Sequence, residues 1–108
     1  MKVVVLEAVK KILKKETKEI KEDISYLLKL LEEGIKLTMP HVRYLGNYGP
    51  RLFELRVKDK QGQFRVIYFT KSGDAIYLLH AFRKKTQETP QKEIATAIKR
   101  LQEIINEE

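Results

Sequence analysis

Three segments in the middle of this chain, Arg51–Lys58, Gln63–Thr70 and Ala75–Phe82, are short and rich in aromatic and β-branched residues. Two four-residue turn signals, Asp59-Lys60-Gln61-Gly62 and Lys71-Ser72-Gly73-Asp74, separate them. Strands joined by turns this tight must pair antiparallel with their neighbours, because a parallel crossover needs a dozen residues or more. The middle third therefore predicts a meander, and the rest of the chain has to cover it. Ile20, Ile24, Leu27, Leu28 and Leu31 recur at helical spacing, with Thr17 as N-cap and Gly34 after the last turn. Thr89 and Pro90 open a second helical stripe of Ile94, Ile98, Leu101 and Ile105. Upstream, Val5, Val9, Ile12 and Leu13 fit a helical face and residues 1–15 look largely helical, while Val3–Leu6 also fits an edge strand; the pattern leaves both open. Residues 35–50, with Pro40, Gly46, Gly49 and Pro50, read as largely loop. The expected architecture is α+β: N-terminal helices, an antiparallel twisted sheet of three to four strands, and a C-terminal helix.

Even-numbered turns make the register explicit. Lys58 opposite Gln63 puts Val57 opposite Phe64 and Arg56 opposite Arg65; Thr70 opposite Ala75 puts Arg65 opposite His80. Alternation then sorts the strands into two faces. One holds Phe53, Leu55, Val57, Phe64, Val66, Tyr68, Tyr77, Leu79 and Ala81, all uncharged, and should pack on helices. The other holds Leu52, Glu54, Arg56, Arg65, Ile67, Phe69, Ile76, Leu78, His80 and Phe82, apolar towards one end and basic towards the other. Its apolar end needs a cover, from the C-terminal helix or from a partner protein. Arg56 facing Arg65 costs a few tenths to about 1 kcal/mol unless an anion lies between them. Phosphate suits a pair of guanidinium forks. Glu54 offers the competing reading, an ion pair with one of the two, and is also a candidate base.

Residues 1–108 read as one domain. The chain has no cysteine, so disulfides and thiolate metal sites are excluded. The Val3–Leu6 run is too short for a signal peptide, and no later run approaches a membrane span, so a cytoplasmic protein without a membrane partner is expected. Of the net charge of +7, residues 36–85 carry +8, from 11 basic and 3 acidic side chains, while residues 1–35 carry +1 and residues 86–108 carry −2. A basic block of this kind is the footprint of a polyanion partner.

Several stretches are similar to a known family: Pro40-His41-Val42-Arg43-Tyr44-Leu45-Gly46, Phe53-Glu54-Leu55-Arg56-Val57, Phe64-Arg65-Val66, and Leu79-His80-Ala81-Phe82-Arg83-Lys84-Lys85-Thr86-Gln87-Glu88-Thr89-Pro90. In this order and spacing they resemble the phage-derived, HigB-like branch of the RelE/HigB toxin superfamily, over about residues 25–105. The resemblance implies a RelE-like fold and the toxin of a type II toxin–antitoxin system, a ribosome-dependent mRNA interferase (an endoribonuclease) that inhibits translation. It also implies a helix-turn-helix antitoxin encoded alongside, with DNA contacted only through the toxin–antitoxin complex. Arg56 and Arg65 match the family's sheet arginines, and Lys84 and Lys85 its basic pair after the last strand; His80 and Phe82 sit within the same motif. The superfamily commonly begins with a clear strand, and some relatives use a tyrosine near the C-terminus; this chain has none after Tyr77.

Metal-free RNA cleavage needs a base for the 2′-hydroxyl, cations for the phosphorane and an acid for the leaving 5′-oxygen. Arg56 and Arg65 suit the cationic task, and His80 is the natural acid or base by type, unless it is a packed strand-end histidine. Arg83, Lys84 and Lys85 are candidate RNA-backbone contacts. Phe82 is either a base-stacking aromatic or a core residue closing the sheet. Tyr48, in the Gly46–Gly49 loop, is a further candidate for reaching the site. His41 has no second ligand at metal spacing and no phosphate-cradling glycine loop is present, so neither a metal nor a cofactor is expected. A non-catalytic basic RNA- or ribosome-binding module remains the alternative, and a phage-encoded assembly protein is a third reading.

Overall fold

The computed structural model describes residues 1–71, 75–84 and 90–106. In chain order the elements are β1 (Lys2–Val5), α1 (Glu7–Lys14), α2 (Lys18–Glu32), β2 (Val42–Tyr44), β3 (Leu52–Asp59), β4 (Gly62–Lys71), β5 (Ala75–Lys84) and α3 (Gln91–Asn106). The α+β class is as expected, but the sheet is wider and mixed. Its order is β1-β5-β4-β3-β2, with β1 parallel to β5 and every other pair antiparallel. The open question at the N-terminus resolves into a strand followed by a helix, and the loop of residues 35–50 contains the short β2.

Local chemistry sets the element ends. Thr17 Oγ1 accepts the Ile20 N–H at 3.3 Å, the expected cap of α2. Gly34 follows that helix with φ of 83°, the left-handed conformation that ends helices most cheaply in glycine. The β3–β4 turn is closed by Asp59 opposite Gly62, and Asp59 Oδ1 accepts the Gln61 N–H at 2.9 Å. The N-cap expected at Thr89 and most of the Lys71–Asp74 turn lie outside the described residues.

Helices cover both faces of the sheet. On one, Val9, Ile20, Ile24, Leu27 and Leu31 pack on Leu55, Val57, Phe64, Val66, Tyr68, Ile76, Leu78 and Ala81. Phe64 is fully buried there, worth roughly 1.5–3 kcal/mol by area transfer. On the other, α3 lays Ile94, Ala97, Ile98, Leu101 and Ile104 over Leu52, Ile67, Leu79 and Phe82. The apolar end of the second face thus takes its cover from the C-terminal helix, with Ile104 inward in place of the expected Ile105, which is half exposed.

The β3–β4 register is the expected one, with Arg56 opposite Arg65, but β4–β5 is not. Ala75 pairs with Lys71, one residue from the expected Thr70, and an irregularity between Ile67 and Tyr68 shifts the ladder again: Tyr68 pairs with Leu78 and Ile67 with His80. Leu79 is the extra residue, a β-bulge. Two corrections follow. Arg65 faces Phe82, not His80. The two sides of β5 before the bulge also exchange, so Ile76 and Leu78 face the N-terminal helices while Tyr77 and Leu79 face α3.

Candidate functional site

Three rows of side chains run across the face that α3 partly covers. Arg43 of β2 pairs with Glu54 of β3; Arg56 of β3, Arg65 of β4 and Phe82 of β5 form the next row; Lys58, Gln63 and Lys84 form the third. Five cationic side chains in these rows accompany one carboxylate. That carboxylate is fully buried: Glu54 Oε1 lies 3.5 Å from Arg65 Nε and 3.7 Å from Arg56 Nε. A buried carboxylate is costly unless paired, and two guanidinium groups flanking one oxygen supply the pairing. Glu54 is therefore an ion-pair partner of both arginines, where the sequence suggested one. It holds the facing cations of β3 and β4 side by side.

The arginines differ in freedom. Arg65 is 4 % exposed at its side chain; its Nη1 donates to the Phe64 carbonyl at 3.4 Å and its Nη2 to Gln63 Oε1. Burial lowers its pKa, the neighbouring Arg56 charge lowers it further and Glu54 opposes both, but a guanidinium so placed remains a cation. Arg56 is 21 % exposed, and its Nη1 approaches Met39 Sδ at 3.4 Å. Lys84 is buried, and its pKa is lowered first by burial and then by the Arg65, Arg56 and Arg43 charges, with Glu54 opposing. The arrangement combines a fixed cation, a more accessible one, and an ammonium that releases its proton more easily than an exposed lysine.

Arg56 and Arg65 also line a cleft of about 640 Å³ at the edge of β3, where β2 covers only Phe53, Glu54 and Leu55. Its opposite wall comes from α2 and the loop before β2, including Tyr26, Leu30, Pro40 and His41. The Arg56 N–H donates to the His41 carbonyl at 2.8 Å, which ties that loop to the strand carrying the more accessible arginine. Tyr26, Lys58, Gln63 and a non-metal part for His41 were missed by the sequence reasoning. Tyr26 lies off the buried stripe of α2, so the helical pattern gives it no role, and the cleft arises from a helix and a strand thirty residues apart. Tyr48 does not line this cleft.

Three expected site residues lie elsewhere or are otherwise engaged. His80 Nε2 lies 3.0 Å from Glu93 Oε2, and its Nδ1 lies 3.0 Å from Arg100 Nη1, which also donates to the bulge carbonyl of Leu79 at 2.9 Å. An arginine only donates, so Nδ1 accepts, and Nε2 carries the proton that Glu93 receives. Both nitrogens are committed, and burial pulls the ring pKa down against the opposing Glu93. His80 therefore fastens α3 to the bulge, and it stands opposite Ile67 instead of Arg65, where the sequence placed it. Arg83 is on the opposite face. It binds Asp59 at 2.6 Å and Glu16 at 2.7 Å and lies over the Phe64 ring at 5.6 Å, apart from the arginine cluster with which the sequence grouped it. Phe82 is a core residue, 8 % exposed and stacked on His80 with ring centroids 5.6 Å apart. Lys85 lies outside the described residues.

The family model described as "Phage derived protein Gp49-like (DUF891)" matches residues 10–102, a stretch that holds every residue of the cluster and the cleft. No curated protein matches the chain. Among the described residues, no helix is long and apolar enough to cross a membrane.

Proposed function

Because the chain belongs to the Gp49-like phage-derived family, a relative of the RelE/HigB toxin fold that is associated with toxins of toxin–antitoxin pairs, we propose that it is such a toxin and acts by cutting messenger RNA on the ribosome. The observation that carries this reading is the Arg56–Glu54–Arg65 constellation: two cations from neighbouring strands converge on one buried oxygen and open onto a cleft. A phosphoryl group at the cleft mouth meets the partly exposed Arg56 fork first, with the buried Arg65 beside it.

In the proposed reaction the 2′-oxygen attacks the adjacent phosphorus and the bond to the 5′-oxygen breaks. The products are a 2′,3′-cyclic phosphate and a 5′-hydroxyl. Arg56 and Arg65 stabilise the phosphorane charge, the term on which such catalysis depends most. Lys84, whose ammonium is made more acidic by its surroundings, donates the proton to the leaving 5′-oxygen. His41, which lines the cleft with Arg56 and Arg65, accepts the proton of the 2′-hydroxyl, a task for which imidazole is the side chain most used. His80 acts only by positioning α3. The partner is a helix-turn-helix antitoxin, and DNA contact belongs to the complex, not to this chain alone.

Induced expression tests this directly. Growth should stop, and primer extension on messenger RNA should map new 5′-ends that disappear in Arg56→Ala. Unchanged cuts in both Arg56→Ala and Arg65→Lys would remove the phosphate site. A second reading, a non-catalytic RNA- or ribosome-binding module, is favoured by the engagement of both His80 nitrogens. It predicts growth arrest with transcripts left whole.

A further inference from the structure

The cleft beside Arg56 has two chemically different walls. The strand wall carries Arg56, Arg65, Lys58 and Gln63; the opposite, helix wall carries Tyr26 and Leu30 of α2 and is continued by Leu37 and Pro40 of the loop that follows. Tyr26 is 64 % exposed although it sits one turn along from Asp23 on a helix whose inward stripe is complete without it. An exposed ring facing a cationic wall across an open space is unexplained by packing. Single-stranded nucleic-acid sites are built this way, with a charged track for the backbone and a π-face for the base. A volume of about 640 Å³ lies inside the range of ~300–1,000 Å³ typical of small-ligand sites.

We propose that the helix wall is a nucleobase subsite, in which Tyr26 stacks on the base of the nucleotide whose phosphate is held by Arg56. The inference rests on the reading of the arginine cluster as a phosphate site and adds where the base goes. Charge fixes the direction. Asp23 lines the helix wall and repels a phosphate, whereas the arginines attract one, so a nucleotide enters with its base towards α2 and its phosphate towards β3. Stacking is tolerant of base identity, since every base has a π-face, so the subsite binds all four nucleotides.

The test is a titration of the free protein at low salt, followed by NMR, with the four nucleoside 3′-monophosphates and with ribose 5-phosphate, which carries no base. Nucleotides should bind about tenfold more tightly than ribose 5-phosphate, the size of one stacking contact. Shifts should appear at residues 23–30 and at Arg56. Tyr26→Ala should abolish the advantage of the nucleotides and leave ribose 5-phosphate binding unchanged; Tyr26→Phe should retain it. Equal binding of nucleotides and ribose 5-phosphate, or an advantage that survives Tyr26→Ala, overturns the base subsite while leaving the phosphate site standing. Failure of every phosphate-bearing ligand to bind overturns the phosphate reading and the subsite together. Because Tyr26 is exposed, its variants are expected to fold, and their unfolding midpoints check this.

Discussion

His80 Nε2 lies 3.0 Å from Glu93 Oε2, and this contact joins the bulged strand of the sheet to the first turns of the C-terminal helix. With Arg100 donating to the other ring nitrogen, only the neutral tautomer fits. Burial depresses the ring pKa in the folded state below its ordinary 6.5, so the unfolded chain takes up the proton first as pH falls. The stability that His80 contributes is therefore present above about pH 6.5 and is lost on acidification through that value towards the lower folded pKa. Urea unfolding from pH 8 to pH 5 should show a steeper loss in the native protein than in His80→Gln. At pH 8, His80→Ala should cost about 1–3 kcal/mol through the groups left unpaired. RNA cleavage per folded molecule should stay within a few-fold.

Arg56 and Arg65 should respond differently to alanine. Arg56 is partly exposed, and its removal should reduce cleavage by about 10²-fold or more, the scale for one transition-state donor. The unfolding free energy should change by less than about 1 kcal/mol. Arg65 is buried against Glu54. Its alanine variant should lose activity and also about 3–5 kcal/mol of stability, because it takes the nearer of two cations from a buried carboxylate. Denaturant curves beside single-turnover cleavage assays separate the two patterns.

Lys84→Arg keeps the positive charge and removes an easily released proton. If Lys84 protonates the leaving oxygen, this variant should lose about 10²–10⁴-fold in cleavage while its RNA affinity stays within a few-fold. A loss of affinity equal to the loss of rate would make Lys84 a backbone contact only.

Acid should act on the far side of the sheet. Asp59 accepts from Arg83 and Thr17, and these bonds, the Arg83 contact first, lower its pKa from 3.8 to about 2. Its contribution is present above the unfolded value near 4 and is lost as pH falls towards 2. Asp59→Asn should flatten the acid limb of the stability curve between those values. Arg83→Ala should lower the thermal midpoint and leave cleavage rates unchanged, since Arg83 faces the helices.

The parts of this architecture visible in the sequence are those set by short-range chemistry. The Asp59–Gly62 turn pinned β3 to β4, so the Arg56–Arg65 pair could be placed before any coordinates. Thr17 and Gly34 marked the ends of α2 for the same reason. Nothing in Leu78-Leu79-His80 announces a bulge, because three consecutive residues able to sit in a strand look alike whichever one is extra. The one-residue shift at Lys71–Ala75 reversed the sides of Ile76, Tyr77 and Leu78, and the extra residue added a second step that carried His80 away from Arg65. The use of Arg83 was equally hidden: charge alone does not distinguish a cation committed to Asp59 and Glu16 from one available to RNA. The cleft depends on how α2 and the loop ending at His41 lean over β3, which only tertiary packing decides.

The parallel pairing of β1 with β5 sets a timetable for making the molecule. Lys2 lies opposite Ala75, so β1 has no neighbour until β5 follows it from the ribosome. At about 5–20 residues per second that wait is several seconds. The β3–β4 hairpin, which bears the arginine pair, needs only its own turn and can form earlier. A nascent chain therefore holds its two facing guanidinium groups before β5 arrives to join β1 to the rest of the sheet.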